Sequence, residues 1–281
     1  MQPWYKPKIE AIKLPPQVLA CAHGLTRNAR DFDCLGEALA PRYRVVCIDF
    51  PGRGRSDWLT DSTAYNVAFY ASVAATWLAA VGAERVHWLG TSMGGLVGIW
   101  LASQQHVPLR SLIANDVGPE VPAAAMQRIA DYVGMDFRFD SLRGLETHLR
   151  MVHAPFGPLS DAHWAHLATH SQRRLADGAI GFHYDPRIAD ALGAARESGV
   201  DLWLQWRACQ VPALLLRGAE SDVLPQALAE RMLEALPSCT THCFPGIGHA
   251  PALMDEAQID IVGDWLAAQD DRQTAATHSS G

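Results

Sequence analysis

Three residue types, met in one order along the chain, define the chemistry it can perform: Ser92, an aspartate, and His249. A serine hydroxyl is a weak nucleophile until an imidazole takes its proton, and the imidazole needs a carboxylate to hold its tautomer. Ser92 stands in Gly90-Thr91-Ser92-Met93-Gly94-Gly95, after the short apolar run Val86–Leu89 and before the dense apolar stretch Leu96, Val97, Ile99, Trp100 and Leu101. G-x-S-x-G between a strand and a helix places the serine on a sharp, strained turn with its hydroxyl projecting above a sheet. Gly90 and Gly94 flank the turn where the chain crosses itself closely and side chains would collide. A helix beginning just after Ser92 aims unpaired N–H groups and its positive end at the same point, where negative charge is welcome.

His249 lies in Pro245-Gly246-Ile247-Gly248-His249, after the last strand-like run. Two aspartates stand at strand ends on its side of the chain: Asp116 in IANDVGPE and Asp222 in LRGAESDVLP. Asp116 precedes the point where the chain leaves its regular alternation, where it could instead bond backbone groups and hold the path into the insertion.

The elements that must position these groups follow from hydrophobic patterning. Gln17–Ala22 reads as a buried strand ending at His23-Gly24-Leu25, and Asp31–Ala40 as a helix stopped by Pro41. Arg44–Phe50 is a second strand, followed by the loop 51–57; Tyr65–Val81 is a long helix closed by Gly82; the Ser92 strand and helix and the strand Leu109–Asn115 come next. One further strand has room near Ile9–Leu14. Strands alternating with helices at this spacing give an α/β fold with a mostly parallel, doubly wound sheet. Continuous apolar runs such as VVCI and ALLL agree, since a solvated face would impose alternation. Catalytic groups of such sheets sit at the carboxyl ends of the strands, where His23, Asp49, Ser92, Asp116 and Asp222 all fall.

Between Val117 and about Trp206 the pattern changes to successive helical segments, near 123–133, 142–153, 161–176 and 186–195, with no convincing strand. An insertion of this length is far beyond an ordinary connection. The expected division is a core of residues 1–117 and 207–281 with a helical cap of residues 118–206. Val211–Gly218, Pro225–Leu236, Thr240–Phe244 and Leu253–Ala268 complete the core as strand, helix, strand and helix, and residues 269–281 read as a frayed polar end.

With 281 residues, 49% of them hydrophobic, the chain can bury one substantial core. A formal charge of −7 without a basic cluster argues against a nucleic-acid surface. No apolar run is long enough to span a bilayer, and the first residues lack the apolar centre of a secretory leader. Six cysteines are scattered, at least Cys21 and Cys47 in core strands, which suits reduced thiols and a cytoplasmic location. Cys239 and Cys243 have the wrong spacing, and no second pair, for a zinc site.

The ordered set of motifs resembles the α/β-hydrolase superfamily over nearly the whole chain: HGL at 23–25, GRGRSD at 52–57, GTSMGG at 90–95, and GAESDVLP paired with GIGHAP. The resemblance implies the α/β-hydrolase fold with an inserted helical cap. It implies Ser92 as nucleophile, His249 as general base and later acid, and Asp222, in what resembles the family's usual acid loop, as the orienting carboxylate, with Asp116 the alternative acid. Backbone N–H groups of Leu25 and Met93 would form the oxyanion hole, with His23, Gly24, Gly90 and Gly94 as structural support. The implied activity is a serine esterase acting on a small-molecule carboxylic ester through an acyl-enzyme, with no cofactor, no metal, and no nucleic-acid or membrane partner. C–C bond hydrolases, lactonases, thioesterases and acyltransferases share the triad, and a catalytically retired ligand-binding protein would share the scaffold. The single glycine before Leu25, unlike the HGGG esterases, disfavours bulky tertiary-alcohol esters.

Other side chains have two readings. His163, His166 and His170 fall at i, i+3 and i+7 of one helix; without paired carboxylates nearby, they read as a polar face rather than a metal site. His23 reads as a loop support. Arg53 and Arg55 either meet a substrate carboxylate or anchor the glycine loop. Trp58, Trp88, Trp164, Trp203 and Trp206 either wall the pocket or pack at the boundary of core and cap, and the sequence assigns none of them to the site.

Overall fold

The computed structural model describes Pro15 and residues 17–278; the strand expected near Ile9–Leu14 lies outside the described residues. The chain enters the sheet as β1 (Gln17–Ala22) and passes through a 3-10 turn (Ala29–Phe32) and α1 (Asp33–Leu39) to β2 (Tyr43–Ile48). It returns through α2 (Val67–Val81) to β3 (Val86–Thr91), and through α3 (Met93–Ala102) to β4 (Leu109–Asn115). The long insertion follows as α4 (Ala123–Ala130), α5 (Leu142–Val152), α6 (Asp161–Ser171), a hairpin of β5 (Gln172–Arg174) and β6 (Ile180–Phe182), α7 (Ile188–Ser198) and α8 (Trp203–Arg207). Finally β7 (Ala213–Gly218), α9 (Gln226–Ala235), β8 (Cys239–Phe244) and α10 (Glu256–His278) close the chain.

The sheet order is β2-β1-β3-β4-β7-β8, and each neighbouring pair is parallel. Both faces are buried, as the unbroken apolar strands require. Val18, Ala20 and Ala22 of β1 point into a core with Trp88, Leu78, Ile99 and Trp206. Leu19 and Cys21, pointing the other way, join Leu35, Leu39, Val262 and Leu266 beneath α1 and α10. Burying a residue of this size contributes about 1.5–3 kcal/mol, so the two layers hold the strand ends rigidly under the site. All six cysteines are free thiols. Among the described residues no helix is long and apolar enough to cross a membrane.

Two expectations need correction. The insertion is not purely helical: β5 and β6 pair antiparallel, Gln172 opposite Phe182 and Arg174 opposite Ile180. Three residues per strand, one strand reading Gln-Arg-Arg, give no alternation to detect. The last helix does not fray after Ala268 but continues to His278. Asp270 tethers it, accepting from the Tyr43 hydroxyl at 2.8 Å and pairing with Arg110 at 3.0 Å.

Candidate active site

The turn at Ser92 is built by crowding. Ser92 has φ 53° and ψ −115°, a conformation costing about 1–3 kcal/mol in a non-glycine residue. Its N–H donates to the Asn115 carbonyl at 2.9 Å, and its carbonyl accepts from Gly95 N at 2.8 Å and Leu96 N at 3.0 Å. A Cβ on Gly90 would run into the Gly94 carbonyl, and one on Gly94 into the Ala22 carbonyl, so both glycines are required by close approach. The buried Trp88 indole N–H donates to the Gly94 carbonyl at 3.0 Å, fixing the start of α3 against the sheet.

His249 reaches this turn from the loop after β8. Its Nε2 lies 2.9 Å from Ser92 Oγ, and its Nδ1 lies 2.7 Å from Oδ2 of Asp116. Asp116 is fully buried, one residue beyond the end of β4, with φ 58°. Its N–H donates to the Leu216 carbonyl at 2.8 Å. Oδ1 accepts from Gly218 N–H at 2.9 Å, and Oδ2 accepts the Ser221 hydroxyl at 2.6 Å as well as His249. A carboxylate only accepts, so the imidazole proton is placed on Nδ1 and the Nε2 lone pair faces the serine hydroxyl.

The carboxylate against His249 is therefore Asp116, and Asp222, expected there, is not. The Asp222 side chain is 46% exposed and pairs with Arg128 of α4, at 2.6 Å from Nε and 2.8 Å from Nη2. The reason is geometric. β4 and β7 are adjacent parallel strands with Asn115 opposite Leu216, so both chain ends emerge side by side beneath His249. Asp116 is the first residue beyond its strand. Asp222 lies four residues beyond Gly218, and the loop carries it outward to the inserted segment. Ser221 takes the inner place instead and was not singled out in the sequence; its only signal was its adjacency to Asp222.

Leu25 and Met93 both border the cavity that opens at Ser92. Met93 is the first residue of α3, where backbone N–H groups have no partner within the helix. His23 supports the Leu25 loop: its ring bonds the Gly24 carbonyl through Nδ1 at 2.7 Å, and Nε2 accepts from Phe50 N–H at 3.1 Å. Burial pushes its pKa down to about 4, so the ring is neutral at physiological pH. Arg53, fully buried, also anchors the loop. Its Nε donates to the Leu25 carbonyl at 2.8 Å, Nη1 to the Pro51 carbonyl at 2.9 Å and to the Tyr70 hydroxyl, while Nη2 rests 3.7 Å from Met93 Sδ. Of the two readings open for Arg53, these bonds favour the anchor. The Arg55 N–H donates to Asp49 Oδ2 at 3.0 Å, within the same loop.

The cavity measures about 730 Å³ with its open mouth. The sheet side contributes Leu25, Tyr70 and Leu96, and the insertion contributes Met126, Ile129 and Leu192. None of the five tryptophans singled out in the sequence lines it. His163, His166 and His170 lie elsewhere, on α6; the carboxylate that the sequence did not show beside them is Asp33 of α1, which gathers with His166 and His170 but not with His163.

Residues 17–255 match the model of a family described as the alpha/beta hydrolase fold. A 3-hydroxybutyrate-oligomer hydrolase of Cupriavidus necator is 40% identical over 262 residues, covering 89% of this chain and 88% of that protein. A pimeloyl-acyl-carrier-protein methyl ester esterase of Yersinia enterocolitica is 26% identical over 263 residues, covering 88% of this chain and 92% of that protein. Among solved structures, an alpha/beta hydrolase from Novosphingobium aromaticivorans superposes with a TM-score of 0.79 at 35% identity, covering 91% of this chain and 90% of that one. Matched along almost its whole described length in sequence and in architecture, the chain belongs to the alpha/beta hydrolase family.

Proposed function

We propose that the chain hydrolyses carboxylic esters through an acyl-enzyme on Ser92, and that its substrates are short linear esters of the 3-hydroxybutyrate-oligomer class. The observation that carries the reading is the continuous relay Ser92 Oγ–His249 Nε2–Asp116, at 2.9 and 2.7 Å, opening on an apolar cavity. His249 takes the Ser92 proton as the hydroxyl oxygen attacks the ester carbonyl, and the imidazolium is stabilised by Asp116. The negative charge on the carbonyl oxygen is met by the N–H groups of Leu25 and Met93, each such donor being worth about two to three orders of magnitude in rate. His249 returns the proton to the departing alcohol, and a water molecule activated by the same imidazole releases the acid. Nucleophile, base, acid and oxyanion donors all come from the chain, so the cycle requires no cofactor. The substrate class rests on the Cupriavidus necator relative and on the apolar walls of the cavity.

In the same reading, residues 1–117 and 207–281 act as the catalytic core and residues 118–206 as a lid that completes the acyl pocket. Support comes from Met126, Ile129, Ile188 and Leu192, which face the cavity from the insertion. The test is direct. Phenylmethylsulfonyl fluoride should label the Ser92 peptide and abolish release of monomer from 3-hydroxybutyrate dimer and trimer, and Ser92→Ala should lose both. An adduct elsewhere, or hydrolysis that survives Ser92→Ala, overturns the nucleophile. Cleavage of p-nitrophenyl esters with no action on the oligomers overturns the substrate class alone.

A further inference from the structure

Away from the Ser92 cavity, α6 docks on the segment 27–33 of the sheet side through a set of specific bonds. Asn28 Nδ2 donates to the His170 carbonyl at 2.8 Å, Arg27 Nη1 donates to Ser171 Oγ at 2.9 Å, and the His166 ring meets the Arg30 carbonyl at 2.9 Å. On this frame His166 and His170, one helical turn apart, place their rings 4.5 Å centre to centre. Asp33, in the first turn of α1, brings its carboxylate to 3.4 Å from His166 Nε2. One ligand atom from each of the three residues lies within 4.8 Å of the others.

We infer that Asp33, His166 and His170 form a binding site for a divalent transition-metal ion, which ties the inserted segment to the sheet side of the protein. Two imidazoles and one carboxylate are the donor set of zinc and its neighbours, and a poor one for magnesium or calcium, which take oxygen ligands. Around a tetrahedral ion with bonds of about 2.0–2.2 Å the ligand atoms stand roughly 3.3 Å apart, so the three side chains close on the ion by small rotations. The side chains of His166 and Asp33 are 24% and 27% exposed, so the ion enters from solvent and water completes its shell. Two present contacts must yield. The ion replaces the proton shared between His166 and the Arg30 carbonyl, and it displaces the Arg30 guanidinium, now 2.6 Å from Asp33 on a half-exposed side chain free to swing away. Arg30 thus competes with the ion for the Asp33 carboxylate.

The experiment titrates Zn²⁺, with Mg²⁺ as control, into the full chain by calorimetry and follows thermal unfolding. One Zn²⁺ should bind per chain and Mg²⁺ should not; at a hundredfold excess over Kd the melting temperature should rise by roughly 5 °C. His166→Ala, His170→Ala and Asp33→Asn, all at partly exposed positions, should each weaken binding by about tenfold or more while keeping the circular dichroism spectrum. Arg30→Gln should tighten it. Absence of saturable Zn²⁺ binding, equal affinity in all three ligand variants, or no tightening in Arg30→Gln overturns the site.

Discussion

Replacing Asp116 by asparagine tests the central geometry, and its consequence can be worked from the bonds that aspartate makes. Asp116 accepts from Gly218 N–H on one oxygen and from His249 and the Ser221 hydroxyl on the other. An asparagine that turned its NH₂ toward Gly218 would set donor against donor in a buried site. The amide instead keeps its oxygen on Gly218 and presents NH₂ to His249, while the Ser221 hydroxyl rotates to accept. An NH₂ group facing Nδ1 moves the imidazole proton to Nε2, and Ser92 then faces a donor in place of a base. The loss in kcat should be about 10⁴-fold. At about 1.36 kcal/mol per decade this is roughly 5.5 kcal/mol of lost transition-state stabilisation. Folding should survive, because each of the three partners keeps a bond. Asp222→Asn breaks only an exposed pair with Arg128, worth about 0–1 kcal/mol, so kcat/KM should change by at most about fivefold. Steady-state kinetics on a p-nitrophenyl ester, with kcat and KM resolved and folding checked by circular dichroism, separates the two. If Asp116→Asn retains more than about a tenth of the wild-type kcat, or Asp222→Asn is the crippled variant, the assignment of the acid is wrong.

Ser221→Ala should lower kcat about ten- to hundredfold with little change in KM, since it removes a hydrogen bond of about 1.5–3 kcal/mol from the Asp116 carboxylate; an unaltered kcat would show that this bond does not position the acid. Arg53→Lys loses the fork that holds the Leu25 carbonyl and the Tyr70 hydroxyl together, so kcat should fall by roughly tenfold or more if, as proposed, the Leu25 loop supplies an oxyanion donor; a rise in KM alone would instead make Arg53 a substrate contact. Burial holds His23 and His87 at pKa values of about 4 in the folded chain, against an ordinary 6.5. Between those values the unfolded chain binds more protons than the folded one. The stability these neutral rings contribute is therefore complete above pH 6.5 and lost as pH falls toward 4. The melting temperature should drop through this window, and less steeply in His87→Gln; an identical slope in that variant would refute the assignment.

The sequence by itself determined the architecture and two members of the relay, and the physical reason is that their signals are local. Strands buried on both faces must be apolar without alternation, which made β1, β4 and β7 legible almost to the residue. Gly90 and Gly94 mark a crossing that no side chain tolerates, and they identified Ser92; Gly-His after the last strand identified His249. Signals failed where local patterning is silent. The hairpin of β5 and β6 is three residues a side, and the continuation of α10 depends on Asp270 meeting Tyr43 and Arg110 far along the chain. Only the tertiary structure decided between Asp116 and Asp222. Both follow apolar strands that lie side by side, and what separates them is the direction in which each loop leaves the sheet and the presence of Arg128 to hold Asp222 outside. The same holds for Asp33, which lies more than a hundred residues from His166 and His170 and meets them only because α6 packs on the 27–33 segment that leads into α1. Spacing along the chain fixes which residues share a helix or a turn. Which side chains converge from separate elements is set by how those elements pack.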